Sequence, residues 1–314
     1  MVIPMATFSE WNWNSAYTRN HEVSASAARS ARLSRLRRAR HIFDRLDWWD
    51  WDEWIASDLW SFDDGNAALL LTPLDLAEAD ALDATCAGVA WLRWCAVADG
   101  LSPATHLTNV FGEAEARLAA HGVCEVWCIV HPFEWIKPYL RDLGYRVVER
   151  LLTFQVEPRR ISKTMPPLTG LQVRLARTAD LEALCALDVR AFDEPWRYAP
   201  VLMQRAVARA FATTVAVYGG ALVGYACAVL HGEKGHVVRL AVQPELRRRG
   251  IGAGLLCDVV MRLAQAGARS VSLNTQAGNR VAQRLYRRLG FAPVGEKLPV
   301  MRKVLTREAP GGIA

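Results

Sequence analysis

No stretch of the chain carries the roughly 20 consecutive apolar residues that a membrane-crossing helix needs. Residues 1–20 lack the basic, apolar and small-residue succession of a secretory leader, so a cytoplasmic protein without a membrane partner is expected. The seven cysteines, at 86, 95, 124, 128, 185, 227 and 257, contain no C-x-x-C pair. That sets aside a zinc ribbon or a dithiol redox centre, and reduced core thiols with no metal are expected. Two nucleotide signatures are missing as well. No Lys-Ser or Lys-Thr follows the glycines of the one basic, glycine-rich loop, and no G-x-G-x-x-G follows a strand directly.

What is present is the loop itself. Val237–Val242 reads as a buried strand, Pro244 opens a turn, and Arg247-Arg248-Arg249-Gly250-Ile251-Gly252-Ala253-Gly254 follows. Leu255, Leu256, Val259, Val260 and Leu263 then recur at helical spacing. The loop therefore feeds a helix N-terminus, whose unpaired N–H groups and partial positive charge suit a phosphate. Glycines at 250, 252 and 254 would let the backbone approach a pyrophosphate closely. A second block runs from Val271 to Phe291. Val271–Thr275 alternates like a strand, Val281, Ala282, Leu285 and Leu289 share a helix face, and Gly290 is placed to cap that helix.

The order R-x-x-G-x-G from Arg247 to Gly252, followed by Asn279, Ala282, Leu285-Tyr286 and Leu289-Gly290-Phe291, resembles the two conserved segments of the GNAT superfamily of acyltransferases. The resemblance implies an α/β fold of the α+β GNAT type and acetyl-CoA as co-substrate. Segment 160–170, with Pro166-Pro167, reads as a linker. Residues 116–130 lie over 261–275 at an offset of 145, and Tyr139–Tyr145 over Leu285–Phe291 at an offset of 146. The reading is a tandem duplication of two acyltransferase-like domains, each a mixed, mostly antiparallel sheet flanked by helices. The expected boundaries are a 1–44 extension, a 45–158 degenerate copy, a 159–169 linker, a 170–306 catalytic copy and a 307–314 tail. The first copy has Leu101–His106 in place of the glycine loop and Leu140 in place of Tyr286, so it should not hold CoA. A degenerate first copy beside an active second one resembles mycothiol synthase and other tandem acyltransferases.

Charge divides along the same seam. Residues 161–314 hold 22 Lys and Arg against 10 Asp and Glu, whereas residues 44–157 hold 7 against 20. The basic half suits a polyanionic cofactor better than nucleic acid. The acidic half either favours a cationic acceptor or simply attracts its neighbour. The seven arginines of Arg29–Arg45, with Leu33, Leu36, Ile42 and Phe43 among them, read as an amphipathic helix docked on the first copy. A nucleic-acid arm or a transit segment is the alternative. Trp48, Trp51 and Trp54 could share a helix face as core or form an aromatic cage for an amine.

The resemblance also assigns roles. Backbone groups of Leu240, Ala241 and Val242 would contact the acyl thioester, Arg247, Arg248, Arg249, Gly250, Ile251, Gly252 and Ala253 would hold the pyrophosphate, and Asn279 would bond the pantetheine arm or the cofactor end. Tyr286 would protonate the departing thiolate. Ribosomal-protein alanine acetyltransferases carry a Glu where this chain has Asn274, which cannot act as a base. Glu233 and His236 are the candidate bases, His236 being read on one strand face with Val238 and Leu240, and Asp193 and Glu194 are further candidates. The expected activity is acetyl transfer to a primary amine of a small molecule, by a monomer or homodimer. A protein N-terminal or lysine acetyltransferase and a non-catalytic acyl-CoA binder are the alternatives.

Overall fold

The structure is a computed structural model that describes residues 33–44, 61–73, 88–162 and 169–305. The tryptophan-rich stretch 48–54, the first 32 residues, Pro166-Pro167 and the 307–314 tail lie outside the described residues. The first half contains β1 (His41–Asp44), β2 (Ser61–Asp63), β3 (Ala67–Pro73), β4 (Gly88–Val97), α1 (Pro103–Ala120), β5 (Val123–Ile129), α2 (Ile136–Asp142) and β6 (Arg146–Val156). The second contains β7 (Gln172–Leu175), α3 (Leu181–Ala191), α4 (Pro200–Arg209), β8 (Ala212–Tyr218), β9 (Ala221–His231), β10 (Lys234–Val242), α5 (Ile251–Gln265), β11 (Ser270–Gln276), α6 (Arg280–Arg288) and β12 (Ala292–Val304).

Local chemistry sets these elements. Asp64 Oδ1 accepts from the N–H groups of Asn66 and Ala67 at 2.8 and 2.6 Å, building the turn between β2 and β3. The helix α5 buries Leu255, Leu256, Val259, Val260 and Leu263 against the sheet, and α1 buries Leu107, Val110, Phe111, Ala114 and Leu118. Gly290 ends α6 at φ +94°, and a Cβ there would stand 2.7 Å from the Arg160 carbonyl oxygen, so only glycine fits.

The duplication is visible in the pairing. Among the described strands only β4 with β5 and β10 with β11 are parallel. Both β4 and β10 also carry a bulge. Leu70 pairs with Trp94 and Leu71 with Leu92, leaving Arg93 extra, while Val237 pairs with Ala228 and Arg239 with Cys227, leaving Val238 extra.

The two sheets are nevertheless one, a 12-stranded sheet in the order β2-β3-β4-β5-β12-β6-β11-β10-β9-β8-β7, with β1 pairing β4 off this path. The halves exchange their last strands. Strand β6 pairs β11 from Val156↔Val271 to Leu151↔Gln276, and β12 pairs β5 from Val300↔Ile129 to Val304↔Glu125. The final segment of the chain forms a single strand rather than a hairpin pair, with its register to β6 broken between Val294 and Leu298. Arg302 with Glu125 at 3.0 Å, and Lys303 with Glu115, tie this basic strand to the acidic half. Val89, Trp91, Trp127, Leu151, Ala199, Leu202 and Val300 form a shared core at the seam.

The Arg-rich segment docks on the first half, as a helix over the described residues 33–36 and as a strand, not a helix, over 41–44; its start at 29–32 lies outside the described residues. The helical residues 33–36 bury Leu33 and Leu36 with Leu70 and Trp94. His41–Asp44 is a strand, with Phe43 buried in the first core. The edge of β4 beyond β5 carries backbone groups that a strand satisfies and a helix cannot. Residues 33–44 thus belong to the first half rather than to a separate extension.

Candidate active site

Strand β10 pairs with β9 along its whole length but with β11 only from Lys234↔Ser270 to Val237↔Leu273. Beyond that point β10 and β11 part. Gln243 N–H donates to Val223 O at 2.9 Å, so strand alternation turns Ala241 toward β9 and leaves Leu240 and Val242 with backbone groups facing the gap. Ala241 lines the cavity as well, but its N–H and C=O turn toward β9, where it pairs with Tyr225.

The gap opens into a cavity of about 1900 Å³ that continues onto the loop 247–253. Gly250 caps α5 at φ +83° and Arg248 precedes it at φ +65°. The first bond of the helix is Gly254 N–H to Gly250 O at 3.0 Å, and no side chain caps its start. The amides of Ile251, Gly252 and Ala253 consequently have no intrahelical acceptor, and all three residues line the cavity. The arginine run divides by role. Arg247 donates from Nε to Val242 O at 3.2 Å and from Nη2 to Ala191 O at 2.9 Å, bracing the loop. Arg248 is exposed at the cavity, and Arg249 is exposed without lining it. Gly254 faces open space and does not line it either, so a side chain there would not obstruct a ligand.

At the far wall Asn279 caps α6, its Oδ1 accepting from Ala282 N–H at 3.1 Å, which leaves the amide nitrogen as its ligand-facing donor. Tyr286 is 6 % exposed, packed on Phe154 and Phe291, and still borders the cavity. Burial raises its phenol to about 12, against a hydrogen bond with Thr275 that lowers it. It is a protonated donor at neutral pH. Gln283, one turn earlier, is buried and donates to Gln276 O and Ala277 O at 3.3 and 2.8 Å, fixing the turn from β11 into α6.

The candidate bases separate. Glu233 does not reach the cavity: it sits in the exposed β9–β10 turn, paired with Arg269 at 3.0 Å. His236 does line it, with Nδ1 2.8 Å from Ser272 Oγ. Burial, with His231 second, holds its imidazole down at about 4, so it is neutral and weakly basic. The bulge at Val238 also corrects its placement. Val237 and Leu240 share the α5 face of the sheet, so His236 and Leu240 lie on opposite faces. Asp193, Glu194 and Asn274 all border the cavity; Glu194 pairs with Arg197 at 3.6 Å, and Asn274 Oδ1 accepts from Thr153 Oγ1 at 2.9 Å.

A buried network was not foreseen. Arg239 lies between the rings of Phe192 and Tyr198, 3.7 and 3.9 Å from their centroids, and donates to both Asp188 oxygens and to Trp196 O. Asp188 also accepts from Tyr225 Oη at 2.5 Å and Tyr198 N–H at 2.8 Å. This network pins the 192–198 wall of the cavity to β10 just past its bulge. An arginine inside an otherwise apolar strand was its one signal in the sequence.

The first half closes the other end of the cavity with Trp91, Arg93, Trp127, Ile129, Val148, Glu149 and Leu151. Trp91 Nε1 donates to Pro195 O at 3.0 Å across the seam, and its ring stands 5.3 Å from Trp196 and 6.0 Å from Trp127. The acidic half thus offers this wall tryptophans and one carboxylate, not an acidic face.

Residues 181–291 match the family described as Acetyltransferase (GNAT) family. A Bacillus subtilis (strain 168) protein named as a [ribosomal protein bS18]-alanine N-acetyltransferase is 26% identical over 130 residues, covering 40% of this chain and 84% of that protein. Mycothiol acetyltransferase of Mycobacterium sp. (strain MCS) is 30% identical over 200 residues, 57% of this chain, and the chain spans 62% of its length. Among solved structures, a GCN5-related N-acetyltransferase from Sphaerobacter thermophilus shares the fold at TM-score 0.52 and 19% identity, covering 76% of this chain and 77% of that one. A tandem GNAT protein from the clavulanic acid biosynthesis pathway does so at TM-score 0.53 and 14% identity, covering 79% and 82%. Residues 181–291 thus match the acetyltransferase (GNAT) family, and the chain shares its fold with a tandem GNAT protein.

Proposed function

We propose that the protein is an acetyl-CoA-dependent N-acetyltransferase that acetylates a primary amine of a small molecule by direct attack on the thioester. The observation that carries this reading is the parting of β10 from β11, with Leu240 and Val242 N–H open to a gap that runs onto the unpaired amides 251–253. Acetyl-CoA supplies an activated acyl group. The amides of Ile251, Gly252 and Ala253 with Arg248 suit its diphosphate, the Asn279 amide nitrogen suits a pantetheine carbonyl, and the Leu240 or Val242 N–H polarises the thioester carbonyl. Tyr286 faces the departing thiolate. At about 12 its phenol lies above a free thiol near 8.5, so it stabilises the thiolate by donating a hydrogen bond more than by yielding its proton outright.

The acceptor end supports a small amine because Trp91, Trp127 and Trp196 wall it across the seam, where an extended peptide would need an open groove. Asp193, with Glu149 across the seam, is the cavity carboxylate proposed to relieve the incoming ammonium of its proton, since Glu194 is paired and Glu233 is remote. The similarity to an alanine N-acetyltransferase of a ribosomal protein keeps a protein N-terminus as the second reading. An assay of thiol release from acetyl-CoA over a panel of small amines and N-terminal peptides separates the two. Turnover confined to the peptides overturns the small-molecule reading, and none with any amine overturns the transferase reading.

A further inference from the structure

The first half keeps the geometry that makes the second half's gap, yet its gap is filled. Strand β4 pairs with β5 only from Gly88↔Val123 to Trp91↔Trp127, then runs on past its bulge as β10 does. Its other edge is taken by β3 along its length. Strand β1 therefore lies on the β5 side, where His41↔Val97, Ile42↔Ala96, Phe43↔Cys95 and Asp44↔Trp94 pair antiparallel. Ala98 N–H donates to Asn66 O at 2.7 Å, so alternation turns Cys95 and Val97 toward β1. Counted from the two bulges, Arg93 and Val238, Cys95 and Val97 stand where Leu240 and Val242 stand in the second half. The far side corresponds too. Trp135, the N-cap residue of α2, donates from Nε1 to Ile42 O at 2.7 Å, and the N-cap residue of α6 is Asn279.

We propose that residues 41–44 fill the first half's equivalent of the acyl-CoA slot, so that this half is a copy closed by the chain itself. An extended backbone bonds the strand on one side and the helix cap on the other, which is the arrangement the proposed function gives to the pantetheine arm; the inference rests on that reading for the comparison alone. The slot's chemistry is that of strand addition: two outward backbone amides, a buried seat filled by Phe43, and an indole donor. Loss of the glycine loop is thus not the whole reason for a silent first half, because restoring glycines at 101–106 would leave the slot occupied.

Hydrogen exchange on the full chain, with and without acetyl-CoA, tests this. The amides of Cys95 and Val97 should exchange slowly in both conditions, and those of Leu240 and Val242 fast alone and slowly with acetyl-CoA. If acetyl-CoA slows Leu240 and Val242 while Cys95 and Val97 exchange as fast as those did unliganded, or slow only on adding it, the filled slot is overturned and the proposed function stands. If Leu240 and Val242 do not respond, the cofactor placement falls, and the equivalence with it. The mild variant Trp135→Phe, which keeps a ring in place, should speed exchange at Cys95 and Val97 about tenfold and leave acetyl-CoA stoichiometry at one per chain. Two sites per chain, or no change at those amides, counts against the proposal.

Discussion

At Tyr286 and His236, burial moves titration in opposite directions and makes each group neutral. Tyr286→Phe keeps the ring between Phe154 and Phe291 and removes only the donor. Turnover should fall by about ten- to a thousandfold, with acetyl-CoA affinity nearly unchanged, measured on whichever amine the panel yields. An unchanged rate with chemistry rate-limiting would make Tyr286 structural. For His236 the folded value, about 4, lies below the ordinary value near 6.5. Its contribution to stability is complete above roughly pH 6.5 and lost as pH falls toward 4, where the unfolded chain takes up a proton that the native site refuses. Denaturant midpoints across that window should therefore drop, and His236→Asn should flatten this part of the profile.

At the scale of elements, the glycine loop and the strand bulge behave differently under substitution. A Cβ at Gly252 would meet Leu285 Cδ2 at 3.4 Å and Val242 Cγ2 at 3.5 Å, close to ordinary contact, and a carboxylate at a helix start is electrostatically welcome. Gly252→Asp should therefore fold, yet place a like charge against the diphosphate. The cost is on the order of 4 kcal/mol, about a thousandfold in acetyl-CoA affinity by calorimetry. Arg239→Met acts through structure instead, stranding Asp188 without its cation for about 3–5 kcal/mol of stability. The acceptor KM should rise more than the acetyl-CoA KM, because the freed wall is 192–198. Pairing with Asp188→Leu should recover part of the stability. The loop and the α5 stripe were legible in the sequence because each is a local pattern of glycine and apolar spacing. The bulge at Val238 was not, since an extra residue in a strand leaves no compositional mark, and with it went the correct face for His236.

The whole molecule departs most from its sequence. The recurrence of 116–130 in 261–275 was readable, being carried within each half by helix and strand periodicity. The exchange of β6 and β12 was not, because register between strands more than a hundred residues apart has no local signal. Its consequence is mechanical. Without residues 1–162, β11 has no neighbour on the β6 side, and β12 loses both β5 and β6. A 169–314 fragment would expose an apolar edge at Val271 and Leu273, both buried in the whole chain, together with Val300 and Met301. That fragment should be insoluble or aggregate, while the full chain should melt in one transition with acetyl-CoA shifting it as a unit. Circular dichroism and calorimetry on the two proteins decide the matter. A soluble fragment with native-like affinity for acetyl-CoA, or two separate transitions in the full chain with only one moved by the ligand, would mean that the halves fold independently despite the shared strands.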